Sequence, residues 1–134
     1  PDGTLIKDVQ IGDFQRPWNA PPDMKGLPKS IPASDYWAYD PNGSGQVGCI
    51  YTAQGFEFDY VGVIIGKDLV YRFDKNQWIG QPENSFDGQV KKSKANFDQL
   101  VKNTYRVLLT RGMKGCYVYF MDEDTEKFFR GRME

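Results

Sequence analysis

Two short polar segments of this chain carry residue types that nucleotide chemistry uses. The first is Gln54-Gly55-Phe56-Glu57, a turn between two apolar runs, and the second is Thr110-Arg111-Gly112, at the end of an apolar run. The glycine lets the backbone turn tightly and approach a ligand. Glu57 can accept hydrogen bonds from ribose hydroxyls, and Gln54 can bind a phosphate or a water. On local pattern alone, a polar loop in which Glu57 binds backbone amides is slightly favoured.

Arg111 is the second candidate, because it continues the apolar stripe of a predicted helix and should lie on the packed side. A buried arginine needs an anion, since an unpaired charge costs on the order of several kcal/mol. Glu57 or Asp59 could supply a structural carboxylate. The functional alternative is an arginine finger, which neutralises charge on a transferring phosphoryl group and raises rates by roughly 10³ to 10⁵. Arg106 follows Phe97 by nine residues and should point away from the packed face.

Strands are predicted where the chain is apolar on both alternating faces. Three such runs lie at residues 47–51, 60–65 and 116–120, and strands of this kind are typical of a parallel α/β sheet covered on both sides. Ligands bind at the carboxyl ends of strands in such sheets, so the turn after residues 47–51 should lie at a ligand-binding edge. Residues 69–80 predict a surface hairpin with a Lys-Asn turn.

Helices are predicted in two places. Residues 93–111 place one stripe of side chains at steps of three and four, namely Phe97, Leu100, Val101, Thr104, Leu108 and Arg111. Asp122 should cap a last helix with an acidic first turn and a basic last turn. That helix should dock through Phe128, Phe129 and Met133.

The first 46 residues predict a loop-rich arm, because they hold seven of the eight prolines. Strands are permitted only at about 4–11 and 36–39. Trp18, Trp37 and Tyr39 should pin this arm to the core.

Composition sets further limits. The 134 residues are 40% hydrophobic, enough for one domain. A net charge of −1 gives no general attraction to nucleic acid or membrane, so any such contact must be local. The chain has no histidine, and Cys49 and Cys116 are predicted to be buried thiols, so a zinc site from the usual ligands is excluded. The sequence has no visible membrane span or signal pattern, so we expect a cytoplasmic location. Its Pro-Asp-Gly start suggests a piece of a longer protein.

Residues 47–66 resemble motif V of superfamily-one helicases, and residues 103–115 resemble motif VI. Together they are similar to the Schlafen-type helicase-like domain of bacterial proteins over about residues 46–134, with weaker similarity around Arg16-Pro17-Trp18-Asn19. The resemblance implies a three-layer α/β RecA-like domain of the P-loop NTPase class. It would have a mainly parallel sheet, a β-hairpin excursion and a loop-rich arm. Residues 1–134 would form one domain, with the arm at 1–46 and the core at 47–134.

The resemblance also implies a site for ATP and Mg²⁺ whose Walker A and Walker B elements lie in an N-terminal RecA-like partner domain. Arg111 would reach the γ-phosphate and Glu57 the nucleotide sugar, beside Gln54 and Gly55. Tyr51 and Thr52 would couple this site to bound DNA or RNA.

Three hypotheses stay open. The favoured one is the C-terminal RecA-like half of a nucleic-acid-dependent ATPase or helicase. The others are a non-catalytic RecA-like module that binds nucleic acid or protein, and an unrelated α/β domain in which Arg111 is structural. The chain has no Gly-x-x-x-x-Gly-Lys-Ser/Thr loop, so it should not hydrolyse ATP alone. Tyr51, Tyr71 and Trp78 could stack on bases, although core or hairpin packing is the favoured interpretation of these rings.

Overall fold

A computed structural model describes residues 5–133 of the protein. The chain forms two compact units, one ending at Phe56 and the other beginning at Glu57, here called the N-terminal and C-terminal units. Within residues 5–133, none of the helices has the length and apolar character needed to cross a membrane. Thr4, the first residue of the earliest predicted strand, lies outside the described residues.

The N-terminal unit begins with a short antiparallel hairpin of β1 (Val9–Ile11) and β2 (Phe14–Arg16). Gly12 has a φ of +55° at the first turn position, where a two-residue hairpin of this hand requires glycine. The early strand is therefore confirmed in part. The strand predicted at 36–39 is wrong, because Ser34–Tyr36 forms a 3₁₀ turn instead.

Loops in the rest of this unit are linked by two isolated parallel bridges, Trp18 with Val47 and Ala20 with Ala33. The buried Gln46 side chain ties the same segments together. Its Oε1 accepts the Ala20 N–H at 2.7 Å, and its Nε2 donates to the Pro32 carbonyl at 2.8 Å. A single side-chain amide therefore links the backbone at residues 20 and 32 through both its acceptor and its donor.

The strand predicted at residues 47–51 is also wrong. Val47 contributes only the isolated bridge, and Ile50–Ala53 forms the single helical turn α1. The Thr52 hydroxyl accepts the Cys49 N–H and donates to the Cys49 carbonyl, both at 2.9 Å, which stabilises the start of this turn. A short apolar run does not by itself separate a strand from a helix.

The C-terminal unit contains the parallel pair β3 (Phe58–Ile65) and β6 (Gly112–Phe120) and the antiparallel hairpin β4 (Leu69–Arg72) and β5 (Gln77–Gly80). The strands predicted near 60–65 and 116–120 are confirmed. Across residues 5–133 the fold is mixed α/β with three two-stranded sheets, of which one is parallel. The described residues show no clear three-layer RecA-like sheet.

Helices α2 (Gly88–Lys92), α3 (Phe97–Leu109) and α4 (Glu123–Arg130) pack in the same unit. Helix α3 begins later than predicted because a 3₁₀ turn precedes it. Phe97 and Val101 of α3 form a core cluster with Leu69, whereas Leu100 is 39% exposed and does not belong to the buried stripe.

The predicted surface hairpin is part of the core. Tyr71 of β4 is buried, and its ring centroid lies 4.0 Å from that of Phe128 in α4, with Trp78 of β5 at 5.0 Å from Phe128. The packing interpretation of Tyr71 and Trp78 is therefore confirmed. The docking prediction holds for Phe128 and for Phe129, whose ring centroid lies 5.0 Å from that of Phe120, but not for Met133, which is 75% exposed.

The cap of α4 is also as predicted, since the Asp122 side chain accepts the Thr125 N–H at 2.9 Å. The prediction of two buried thiols is wrong for Cys116, which is exposed on β6, while Cys49 is half-buried.

Candidate functional site

Arg111 and Glu57 each directly precede a strand of the parallel pair. The Phe58 N–H donates to the Arg111 carbonyl at 2.9 Å, and Phe58 of β3 pairs with Gly112 of β6. The two candidate residues therefore enter neighbouring strands at their amino ends. The expectation that the polar turn follows the carboxyl end of a strand is wrong, because residues 47–51 form no strand.

The guanidinium of Arg111 is oriented by the last turn of α3. Its Nε donates to the Val107 carbonyl at 3.0 Å and its Nη2 to the Thr110 hydroxyl at 3.2 Å. The Thr110 hydroxyl in turn donates to the Val107 carbonyl at 2.9 Å. The carboxyl end of a helix carries partial negative charge and favours a cation. The planar fork of Arg111 is thus held half-buried in one direction, with its Nε and Nη2 bonded to the end of α3.

Arg106 lies on the exposed side of the same helix, as predicted. Asp59, one of the two carboxylates considered as a structural partner for Arg111, forms an ion pair with Lys114 at 2.8 Å. Both groups of that pair are well exposed, so it contributes little stability. Glu57 is exposed, which leaves its carboxylate open to solvent.

Gln54 and Gly55 form the turn after α1. The Gln54 N–H donates to the Ile50 carbonyl at 2.9 Å, which closes the helical turn. Gly55 has a φ of +83°, a left-handed conformation that glycine adopts without strain. A Cβ at this position would meet nothing within 4 Å. The glycine is therefore needed for its conformation, and the space beside it is open.

Tyr51 and Thr52 lie side by side in α1 but differ in exposure. The Tyr51 side chain is 58% exposed, whereas Thr52 is 6% exposed and uses its hydroxyl in the α1 cap. Both line an open groove of about 590 Å³ in the N-terminal unit. Its remaining walls come from Trp18, Asn19, Pro21, Pro22, Ser34, Asp35, Cys49 and Phe56.

Sequence reasoning missed this groove. It predicted that Trp18 pins the arm to the core, but Trp18 is 47% exposed at the groove wall. The nearest available signal was the Pro21-Pro22 pair after Trp18-Asn19, which prevents a helix and leaves the tryptophan in an extended segment.

A polar cluster missed by the sequence lies beyond the carboxyl end of β3. The Tyr105 hydroxyl donates to Asp68 Oδ1 at 2.6 Å and accepts the Gly66 N–H at 2.9 Å. Burial raises the pKa of Asp68, although the hydrogen bond from Tyr105 opposes the rise. Burial, together with the charge of Asp68, raises the pKa of Tyr105, so the tyrosine stays a donor. This cluster fastens the β3–β4 connection to α3.

The residues present fit some parts of ATP and not others. Arg111 suits a phosphate and Glu57 suits a sugar hydroxyl, but the chain has no phosphate-binding loop. Within residues 5–133, no three His, Cys, Asp or Glu side chains are grouped so that they could hold a metal ion.

Comparisons with known proteins support the family resemblance. A family model described as Schlafen group 3, DNA/RNA helicase domain matches residues 2–122. An uncharacterized protein of Saccharomyces cerevisiae is 35% identical over 86 residues, which cover 59% of this chain and 19% of the yeast protein. The matched region thus spans about a fifth of that relative's length. No solved structure matches significantly.

Proposed function

Because the chain belongs to the Schlafen group 3 DNA/RNA helicase domain family, we propose that it is the C-terminal RecA-like half of a nucleic-acid-dependent ATPase or helicase. Arg111 acts as the arginine finger, and Gln54, Gly55 and Glu57 contact the nucleotide. The Walker A and Walker B elements, with the Mg²⁺ they hold, belong to an N-terminal RecA-like domain of the parent chain. DNA or RNA binds near Tyr51 and Thr52.

One observation carries the proposal: the hydrogen bond from the Phe58 N–H to the Arg111 carbonyl. It connects the segment that ends in Glu57 with the segment that ends in Arg111, although the two are far apart in sequence. The Val107 carbonyl and the Thr110 hydroxyl then fix the guanidinium. A cation held in place before charge develops stabilises a transition state without reorganisation.

The chain's own residues have separate tasks in this proposal. Arg111 donates hydrogen bonds to the phosphoryl oxygens on which negative charge accumulates. Glu57 accepts from sugar hydroxyls and so affects nucleotide binding more than the chemical step. Gly55 supplies a left-handed turn with open space beside its backbone, so no side chain there obstructs a nucleotide.

The test is nucleic-acid-stimulated ATP hydrolysis by the full-length protein, comparing wild type with Arg111→Ala and Arg111→Lys. We expect kcat to fall by about 10³ or more in both variants, since lysine lacks the planar fork. ATP should still bind, as measured with a fluorescent analogue. Arg106→Ala is the matched control, because Arg106 lies on the exposed face of the same helix.

Two results would contradict the proposal. If Arg111→Ala lowers activity only in proportion to the loss of folded protein, as judged by circular dichroism, the arginine is structural. If the wild-type protein binds nucleic acid but does not hydrolyse ATP, the domain is a non-catalytic binding module.

A further inference from the structure

The groove in the N-terminal unit has a fixed frame. Two isolated bridges, Trp18 with Val47 and Ala20 with Ala33, join the backbone segments next to its lining residues Asn19 and Ser34. The Trp18 N–H also donates to Asp8 Oδ1 at 2.7 Å, so the backbone here does not depend on the indole ring. The Trp18 indole is therefore available to contact a ligand, because other hydrogen bonds hold the backbone at this position.

Three aromatic side chains open into this groove. Trp18, Tyr51 and Phe56 are 47%, 58% and 39% exposed. A group of large apolar rings on a protein surface often marks a binding site, whereas a single exposed ring does not. Flat rings of this kind form platforms on which nucleic-acid bases stack.

Asn19 provides a second, independent observation. The residue is only 9% exposed and lines the groove, yet its Oδ1 is buried and finds no hydrogen-bond partner in the described part of the chain. A buried carbonyl oxygen without a donor costs free energy, and a ligand N–H in the groove would remove this cost after a small rotation of the amide. The exposed Asp35 carboxylate adds another acceptor to the same lining.

The charge of the groove lining limits the class of ligand that can bind. Among residues 5–133, Asp35 is the one charged residue that lines the groove, and no lysine or arginine does, so phosphates are disfavoured inside it. A proline-rich peptide also fits aromatic grooves, but its prolines have no N–H to offer to Asn19 or Asp35. A neutral, planar group that carries amino donors fits all of these features.

We propose that this groove binds one unstacked base of a single-stranded nucleic acid and prefers bases with an exocyclic amino group. The base stacks against Trp18 and Tyr51, and its amino group donates to Asn19 Oδ1 or to Asp35, while the phosphates stay outside. This inference rests on the proposed function and adds a base-binding site to it.

The experiment measures binding of fluorescein-labelled (dC)15 and (dT)15 to the full-length protein without ATP, by fluorescence anisotropy. We expect wild type to prefer (dC)15, because cytosine has an amino group where thymine has a carbonyl. Trp18→Ala and Tyr51→Ala should weaken binding by roughly 5- to 100-fold, the range for loss of one stacking platform. Tyr51→Phe keeps the ring and should bind like wild type.

Two further readouts separate this site from a merely structural role. Asn19→Leu removes the unsatisfied oxygen and leaves Asp35 as the remaining acceptor, so it should keep or raise the melting temperature while reducing the preference for (dC)15. Because the groove makes no phosphate contact, Trp18→Ala should leave the slope of log Kd against log salt unchanged. Phe14→Ala is the control, since Phe14 is 43% exposed in the same unit and does not line the groove.

The outcomes distinguish this inference from the proposed function. If nucleic acid stimulates ATP hydrolysis but the groove variants bind both oligonucleotides like wild type, the base site is refuted and the function stands. If a deca-proline peptide competes with (dC)15 and binds more tightly, the groove is a peptide site and the inference is wrong. If the wild-type protein binds no oligonucleotide and hydrolyses no ATP, both fail.

Discussion

Replacing Tyr105 with phenylalanine removes one hydroxyl that makes two hydrogen bonds in the C-terminal unit. The bond to Asp68 Oδ1 is 2.6 Å long and goes to a carboxylate, and the bond from the Gly66 N–H is 2.9 Å long. A hydrogen bond to a charged group contributes about 1.5–3 kcal/mol, and leaving the half-buried Gly66 N–H unpaired adds up to about 1 kcal/mol. We expect Tyr105→Phe to lower the free energy of unfolding by about 2–4 kcal/mol at pH 7.

This cost should depend on pH with a defined sign. Burial raises the pKa of Asp68 above its ordinary value of 3.8, while the hydrogen bond from Tyr105 limits the rise. Ionisation of Asp68 therefore destabilises the folded state, and its contribution to stability is complete below pH 3.8 and lost as pH rises through the folded-state pKa. Phenylalanine raises that pKa further, so the cost of the substitution should be larger at pH 7 than at pH 3.5.

Hydrogen exchange with mass spectrometry on the full-length protein measures the loss of local stability, in peptides covering residues 58–72. Protection at pH 7 should fall by roughly 30- to 1000-fold, and by clearly less at pH 3.5 after correction for intrinsic exchange. Tyr117→Phe is the control, because Tyr117 is 71% exposed on β6. Equal losses at the two pH values would refute the assigned role of the Asp68 carboxylate, and an equal loss in Tyr117→Phe would refute the role of the hydroxyl.

Two further substitutions test packing and charge elsewhere. Gly48→Ala would place a Cβ 2.5 Å from the Trp37 ring, so it should destabilise the N-terminal unit by about 1–3 kcal/mol, whereas Gly45→Ala, with nothing within 4 Å, should change little in thermal unfolding. Asp122→Asn keeps the α4 cap but loses the 3.0 Å ion pair with Arg72. Although burial opposes it, the Arg72 hydrogen bond helps to hold the pKa of Asp122 below 3.8. The loss should be about 1–2 kcal/mol at pH 7 and should shrink as pH falls below 3.8, as urea titrations at several pH values would show.

Elements with strong periodicity were predictable from the sequence. Helix α3, strands β3 and β6, and the Asp122 cap follow from apolar spacing and from an acidic residue before a helical run. The region at residues 47–51 was not, since a short apolar run does not separate a strand from a helix and the Thr52 hydroxyl stabilises a helical turn there.

The sequence predicted which residues belong to the candidate site but not how they are arranged. Motif spacing selected Arg111 and Glu57, but the Phe58 bond to the Arg111 carbonyl depends on a parallel register that no local pattern encodes. The groove depends on long-range contacts through Gln46, such as the one with Ala20, and a lone glutamine in a loop gives no such signal.

Gln46 has a consequence for how the N-terminal unit tolerates mutation. Its amide binds the backbone of Ala20 and Pro32, so those two buried positions are restricted in size but not in hydrogen-bonding chemistry. Position 46 itself needs a side chain that carries a donor and an acceptor at one fixed distance from its backbone, which only glutamine supplies. A saturation scan of this arm should therefore show that position 46 accepts almost no residue but glutamine, whereas positions 20 and 32 accept other small residues.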